Sequence, residues 1–239
     1  MPLIKRLSLN AMGRDLLIGD IHGHFAKARA ALDAVGFNPE VDRVISVGDL
    51  VDRGPESEQA LEWLAQPWFH AVRGNHEQMC MDPADAYLHM ANGGVWFVSK
   101  GQDERQPFVD AFRDLPVAIE LETTEGLVGI VHADPVAPTW ERVRQLLSAD
   151  EPEEGFVQAL IWTMDRVMSE FGEPIPDIRA VVVGHTPMER VTSLGNVIYI
   201  DTGGWLPEAR CPGRVFTVLD AETLAPAYRQ TLASEGWAS

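Results

Sequence analysis

Cysteine is nearly absent. Of 239 residues only Cys80 and Cys211 are cysteines, too few for the disulfide framework that small secreted domains rely on. Both are read as free thiols in a reducing compartment. No stretch approaches the roughly 18 consecutive apolar residues of a membrane span. Met1 to Arg14 has neither the apolar segment nor the cleavage pattern of a secretion signal. These absences lead to the expectation of a cytoplasmic protein with no membrane partner. Basic residues are also scarce, with Lys+Arg 19 against Asp+Glu 36 and a formal net charge of -17. Such a chain repels a phosphate backbone, so nucleic acid is not an expected partner. There is no internal repeat, low-complexity tract or linker. A hydrophobic fraction of 46% suits one domain over residues 1–239 with a full core.

Short apolar runs alternate with helical stretches in the first third of the chain. Residues 15–19, 43–48 and 69–73 read as strands, each ending in a polar, Gly-bearing turn, with helices expected over 25–35 and 56–65. This repetition marks an α/β core, in which turns at the carboxyl ends of strands carry ligand sites. The middle, 82–115, reads as helical and broken at Asn92-Gly93-Gly94. Further strands are expected at 117–121, 127–131, 180–184, 197–200, 215–219 and 227–230, and helices at 138–147 and 156–169. The whole predicts two facing mixed sheets, a β-sandwich, flanked by helices.

The chemistry sits in the turns. Asp20 and His22 fall in Gly19-Asp20-Ile21-His22-Gly23, two apart, so that at a strand end both point the same way and can bind one ion. Asp49 begins the word Asp49-Leu50-Val51-Asp52-Arg53-Gly54 after the next strand and has two oxygens with which to bridge two ions. Asn75, in Gly74-Asn75-His76-Glu77, offers an amide oxygen. His132 and His185, in Val131-His132-Ala133-Asp134 and Gly184-His185-Thr186-Pro187, each follow a later strand and add neutral imidazoles. A lone Asp or His in a turn is usually a turn former or a hydrogen-bonded residue. Six such residues, all at strand exits inside Gly-bracketed words, point instead to two divalent metal ions. The donor set lacks thiolate, which suits manganese or iron, with zinc as an alternative, and is unlike an all-oxygen calcium cage. A metal pair is a device for displacing a phosphate ester with water.

The words GDIHG, GDLVDRG and GNHE resemble the PPP family of metallophosphatases, in that family's order and spacing. The stretch Ile45–Met79 is similar to the family's bacterial and phage branch. The likeness runs from about Leu17 to Gly204. It implies a metallophosphoesterase-like sandwich with a dinuclear site at one edge. Asp20 and His22 would bind the first metal, Asp49 would bridge, and Asn75, His132 and His185 would complete the second. A metal-bridging hydroxide would attack phosphorus directly. His76 would protonate the leaving oxygen, with Asp52 fixing its tautomer and raising its pKa, and Arg53 and Arg73 would bind phosphate oxygens. The resemblance further implies phosphoserine and phosphothreonine in proteins as substrates, with phosphotyrosine as an additional one. A monomer is favoured over an oligomer.

One position departs from the family. A phosphate-binding Arg commonly stands two residues after a Trp, and in Trp162-Thr163-Met164-Asp165-Arg166 that place holds Met164. Arg166 is carried as its replacement, with a surface salt bridge as the competing reading. A second activity, hydrolysis of dinucleoside polyphosphates such as diadenosine tetraphosphate, uses similar words, but Asp52 before Arg53 and Glu77 after His76 look like the protein phosphatase branch. A third reading, a catalytically dead phosphopeptide-binding module, is opposed by the intact ligand and acid residues. His24 reads as a helix-start residue, His70 and His89 as incidental. Trp96 and Trp140 are candidates for the cleft wall, and Cys80 is expected to pack beneath the site.

Overall fold

Burial with a period of two along the strands sorts the side chains into three apolar layers. These appear in a computed structural model that describes residues 2–82, 84 and 86–227. In β2 (Asp15–Ile18), Leu16 and Ile18 face an outer layer with Phe25, Leu32 and Trp63, while Leu17 faces a central layer. In β6 (Gly126–Val131), Val128 and Ile130 join that central layer, and Val131 turns outward toward Trp140, Leu160 and Val181. The central layer holds residues of both sheets, so the two sheets pack face to face with helices outside, as expected from sequence.

The first sheet has the order β11-β10-β2-β3-β4, with β3 (Arg43–Ser46), β4 (Phe69–Ala71), β10 (Val218–Asp220) and β11 (Ala225–Pro226). Strands β2, β3 and β4 run parallel, in the registers Ile18↔Ser46 and Ser46↔Ala71. Two helical crossovers make this possible: α1 (Phe25–Ala34), and a 3-10 turn at Ser57–Gln59 leading into α2 (Ala60–Leu64). The second sheet has the order β1-β5-β6-β7-β9-β8, with β1 (Ile4–Leu7), β5 (Ala118–Thr123), β7 (Ala180–Val183), β8 (Thr192–Leu194) and β9 (Val197–Tyr199). Here β6, β7 and β9 are parallel.

Several expectations shift for identifiable reasons. Gly74–Glu77 does more than turn the chain. It opens α3 (Asn75–Met81), because the Glu77 carboxylate reaches back to the Gly74 N–H at 2.8 Å. The helix expected over 156–169 is two pieces, α8 (Glu154–Trp162) and α9 (Asp165–Met168). Two carbonyls of the last turn of α8 are taken from outside: Ala133 N–H donates to Leu160 O at 2.9 Å, and the His185 ring bonds to the Trp162 backbone. Residues 215–217 stay out of the ladder because Thr202 Oγ1 bonds the Val215 carbonyl and the Thr217 hydroxyl. β1 and β8 carry too few apolar residues to stand out in the sequence. Residues 228–230 of the last expected strand lie outside the described residues. The middle region is helical, as α4 (Ala86–Ala91), α5 (Val95–Val98) and α6 (Gln102–Arg113), with α7 (Trp140–Leu147) covering the second sheet.

Candidate metal centre

Every candidate ligand leaves the carboxyl end of a strand: Asp20 and His22 after β2, Asp49 after β3, Asn75 after β4, His132 after β6 and His185 after β7. The backbone there is forced. His22, Asp49 and His185 are non-glycine residues at φ of 45°, 51° and 64°, and Asp52 and Arg53 follow at 71° and 67°. Left-handed conformations of this kind cost of order 1–3 kcal/mol each and persist only where surroundings over-determine them. Here Ile21 and His22 N–H both donate to the Asp49 carbonyl (3.0 and 2.8 Å), and Gly23 N–H to that of Leu50. The buried Glu77 carboxylate accepts from Gly74, Asp49 and Leu50 N–H at 2.8–2.9 Å, tying the β3 and β4 exits together. Burial, with Asp49 adding to it, pushes Glu77 up to about 7.

Asp49 lies between two groups of imidazoles. Its Oδ1 is 3.3 Å from His132 Nε2, and its Oδ2 is 3.6 Å from His22 Nε2 and 3.8 Å from His76 Nε2. Asn75 Oδ1 joins the His132 side, 2.9 Å from His132 Nε2 and 3.1 Å from His185 Nδ1. Asp20 Oδ2 stands 3.9 Å from His22 Nε2, and its two oxygens accept from His185 N–H. Two groups of candidate ligands therefore share one carboxylate.

The rings are oriented as metal ligands are. His22 Nδ1 is 3.0 Å from the Val51 carbonyl and His132 Nδ1 is 2.7 Å from that of Val47. A ring that donates Nδ1–H to a carbonyl presents a lone pair at Nε2, the arrangement that fixes imidazole ligands. Yet His132 Nε2 faces two acceptors, Asp49 Oδ1 and Asn75 Oδ1. Without a cation that contact requires a proton. Burial opposes one, but Asp49 and Asp20 outweigh it and lift His132 to about 10. Burial, then Asp201, holds Asp20 well above the usual carboxylate range, while burial and His132 bring His185 down to about 4. Cations among these groups remove the conflict, so the residues present fit a metal pair.

Beside this cluster lies a second group. His76 Nδ1 is 2.6 Å from Asp52 Oδ2, and Arg53 Nη2 is 3.1 Å from His76 Nε2. Both His76 and Asp52 are fully buried. The Arg53 guanidinium stacks 4.4 Å over Trp205, whose ring also meets the edge of His22 at 4.5 Å. Trp205 is held by Asp201, itself pushed up to about 6 by burial.

The other two arginines are engaged elsewhere. Arg73 donates from Nη2 to the carbonyls of Arg113 and Leu115, both at 3.1 Å, and from Nη1 to Gln78. It thus caps the end of α6, where orphan carbonyls attract a cation. Arg166 pairs with Asp134 and donates from Nη1 to the carbonyls of Phe171 and Glu173. Of the three arginines expected at phosphate, only Arg53 lies beside His76. Met164 is half-exposed at the start of α9. Trp140 is not at a cleft wall: it is fully buried and bonds Glu120. His24 does start α1, with its ring on the His22 carbonyl.

Sequence reasoning missed His89 and gave Trp96 only a place on the wall. His89 Nε2 is 2.9 Å from Asp52 Oδ2, and Trp96 Nε1 donates to Asp52 Oδ1 at 2.6 Å. Their one sequence signal was proximity to the Asn92-Gly93-Gly94 breaker. The role of Glu77 was legible only as its place three residues after Gly74, and that of Trp205 as its nearness to Asp201.

A family model described as calcineurin-like phosphoesterase matches residues 14–190. Serine/threonine-protein phosphatase 2 of Escherichia coli (strain K12) is 33% identical over 196 residues, covering 78% of this chain and 86% of that protein. The symmetrical bis(5'-nucleosyl)-tetraphosphatase of Methylococcus capsulatus (strain ATCC 33009 / NCIMB 11132 / Bath) is 29% identical over 138 residues, covering 57% of this chain and 48% of that protein. A solved structure provisionally described as a diadenosine tetraphosphatase superposes with a TM-score of 0.63 at 22% identity, covering 93% of this chain and 95% of that one, a likeness of fold alone.

Proposed function

The chain belongs to the calcineurin-like phosphoesterases, and from that premise we propose that it is a metal-dependent phosphomonoesterase acting on phosphoserine and phosphothreonine in proteins. The observation that carries the reading is the single carboxylate, Asp49, standing between two groups of imidazoles, with an independently oriented imidazole, His76, beside it. Asp20, His22 and Asp49 would hold one divalent cation, and Asp49, Asn75, His132 and His185 the other, with manganese the favoured ion. Such a pair supplies charge to phosphate oxygens and a water-derived nucleophile at neutral pH.

The chain's own residues do the rest. Arg53, held over the Trp205 ring, would offer its guanidinium fork to a bound phosphoryl group, whose geometry it matches. Phosphate arriving there competes for the Arg53 donor that now points at His76 Nε2. That nitrogen can then take a proton from solvent and pass it to the departing alkoxide, while Nδ1–H stays on Asp52. Asp52 stabilises the protonated ring and fixes its tautomer, as a carboxylate does for a general acid–base histidine.

Dinucleoside polyphosphate hydrolysis is the second reading, favoured by the likeness to tetraphosphatases. The phosphatase relative is matched over 86% of its length and the tetraphosphatase over 48%, which supports the first. The test uses metal-stripped protein with and without manganese, and follows phosphate release from a phosphoserine peptide and a phosphotyrosine peptide and ADP or ATP release from diadenosine tetraphosphate. Manganese-restored turnover of the peptides is the expected result. Turnover of the dinucleotide alone would replace the first reading by the second.

A further inference from the structure

Asp52 has more partners than an orienting carboxylate needs. It is completely buried, and its two oxygens meet three donors from three places in the chain. His76 from α3 takes Oδ2 at 2.6 Å. His89 from α4 reaches both oxygens, at 2.9 Å from Oδ2 and 3.1 Å from Oδ1. Trp96 from α5 takes Oδ1 at 2.6 Å. The proposed reaction uses only the first of these.

The turn between α4 and α5 presses on the same loop. The Gly93 carbonyl accepts from Arg53 N–H at 3.4 Å. Gly93 has φ of 101°, and a Cβ there would stand 2.8 Å from the Arg53 nitrogen. A Cβ on Gly94 would overlap the His89 ring. The breaker in the sequence is thus a place where backbone must approach closely, and what it approaches is the pair Asp52–Arg53. Both of those residues hold left-handed backbone without being glycine, a conformation that needs support from outside the loop.

We propose that His89 is a positioning residue for the general acid: with Trp96 it locks the Asp52 carboxylate in the rotation that presents Oδ2 to His76, and the α4–α5 turn keeps Arg53 in step. A carboxylate held by His76 alone turns about its last side-chain bond and carries the imidazole with it. Two further donors, His89 across both oxygens and Trp96 on the far oxygen Oδ1, stop that rotation and satisfy the remaining lone pairs of a buried charge, which is costly to leave unpaired. His89 itself is fixed by burial, by the Gly94 backbone against its ring, and by Phe97 at 5.5 Å. Besides Asp52 its Nε2 meets the Cys80 thiol at 3.7 Å, and neither is a ligand candidate of the pair around Asp49, so its effect is expected on the acid side.

This inference rests on the reading of His76 as the acid, and the experiment separates the two. His89→Ala, His89→Gln and His76→Asn are made in the full chain and loaded with manganese. Each is assayed on a phosphoserine peptide, whose leaving group needs a proton, and on nitrophenyl phosphate, whose leaving group does not. Bound manganese is measured alongside. His89→Ala is expected to lose roughly 10- to 100-fold in kcat on the peptide, the range seen when a group orienting a site histidine is removed. On the aryl ester it should lose less than about 3-fold, a small effect on the same free-energy scale. KM and manganese stay unchanged. His89→Gln, whose amide N–H reaches the same carboxylate, is expected to recover most of the loss. Equal loss on both esters, loss of manganese, or no loss at all overturns the proposal. Should His89→Ala not fold, Trp96→Phe removes the far-side donor, and the same absence of leaving-group dependence overturns it. If His76→Asn itself shows no preference between the esters, the acid reading fails and takes this inference with it. If His76→Asn shows the preference and His89→Ala does not, only the inference fails.

Discussion

The two sides of the site are built by different means. The metal side hangs from strand ends: β2, β3, β4, β6 and β7 each deliver a ligand candidate, and short backbone bonds between neighbouring exits fix their spacing. The acid side hangs from the β3 exit and three short helices, α3, α4 and α5, the last two reaching Asp52 from 37 and 44 residues along the chain. Strand ends share the rigidity of a sheet, so a change in one ligand leaves the others in place. A carboxylate held by helices depends on how those helices pack. On the proposed reading the metal side would supply charge and the acid side direction, so damage to each should look different.

The sharpest break is Asp49→Asn. It removes the carboxylate common to both groups, and loss of manganese and of activity together by more than about 100-fold is expected, beyond the cost of losing a residue that merely orients a ligand. Metal analysis with an assay checks it, and full activity with both metals retained contradicts it. His76→Asn acts on the other side. It should keep its metal and lose on the order of 10²- to 10⁴-fold on alkyl phosphates, the usual contribution of a positioned proton donor, and much less on a nitrophenyl ester.

Acidity distinguishes the sides further. In the metal-free chain burial opposes a proton on His132, but Asp49 and Asp20 lift the ring to about 10. Between pH 6 and 9 the ring is therefore protonated, and a cation must expel that proton to bind. Manganese affinity should rise with pH by about tenfold per unit for one proton released, and calorimetry in buffers of different ionisation enthalpy should show that proton. An affinity that is flat from pH 6 to 9 removes this argument. Arg53→Lys is a smaller change. Lys keeps the charge and loses both the fork and the stacking on Trp205, so KM for phosphate esters should rise about tenfold with metal retained. The mildest is Met164→Arg, half-exposed two residues beyond Trp162. A further cation at that rim should lower KM by about 2- to 5-fold, within what an exposed charge supplies. An unchanged KM places Met164 outside the phosphate's reach.

Most of the candidate metal side was legible because each candidate ligand sits in a short word directly after an apolar strand. The α/β sandwich followed from the same alternation. What escaped was whatever depends on packing between distant segments. Beyond its nearness to the Asn92-Gly93-Gly94 breaker His89 carries no signal, since a lone imidazole on a helix reads the same whether it meets solvent or Asp52. The resemblance implies phosphate for Arg73 and offers Arg166 for the family position that Met164 holds, since a cation in such a place calls for an anionic partner. Helix-end and loop carbonyls meet that need equally well, and only the fold reveals them. The break between α8 and α9 was hidden for the same reason: the groups that stop α8 come from residues 133 and 185.

The separation of the two sides turns on His76, whose Nε2 lies 3.8 Å from Asp49 Oδ2 and within reach of the first metal group. The most direct measurement is manganese bound per chain in His76→Asn beside Asp49→Asn, at equal free manganese. His76→Asn is expected to hold two ions and Asp49→Asn fewer than one. Equal loss from both would make His76 a ligand and dissolve the distinction between a side that holds charge and a side that delivers a proton.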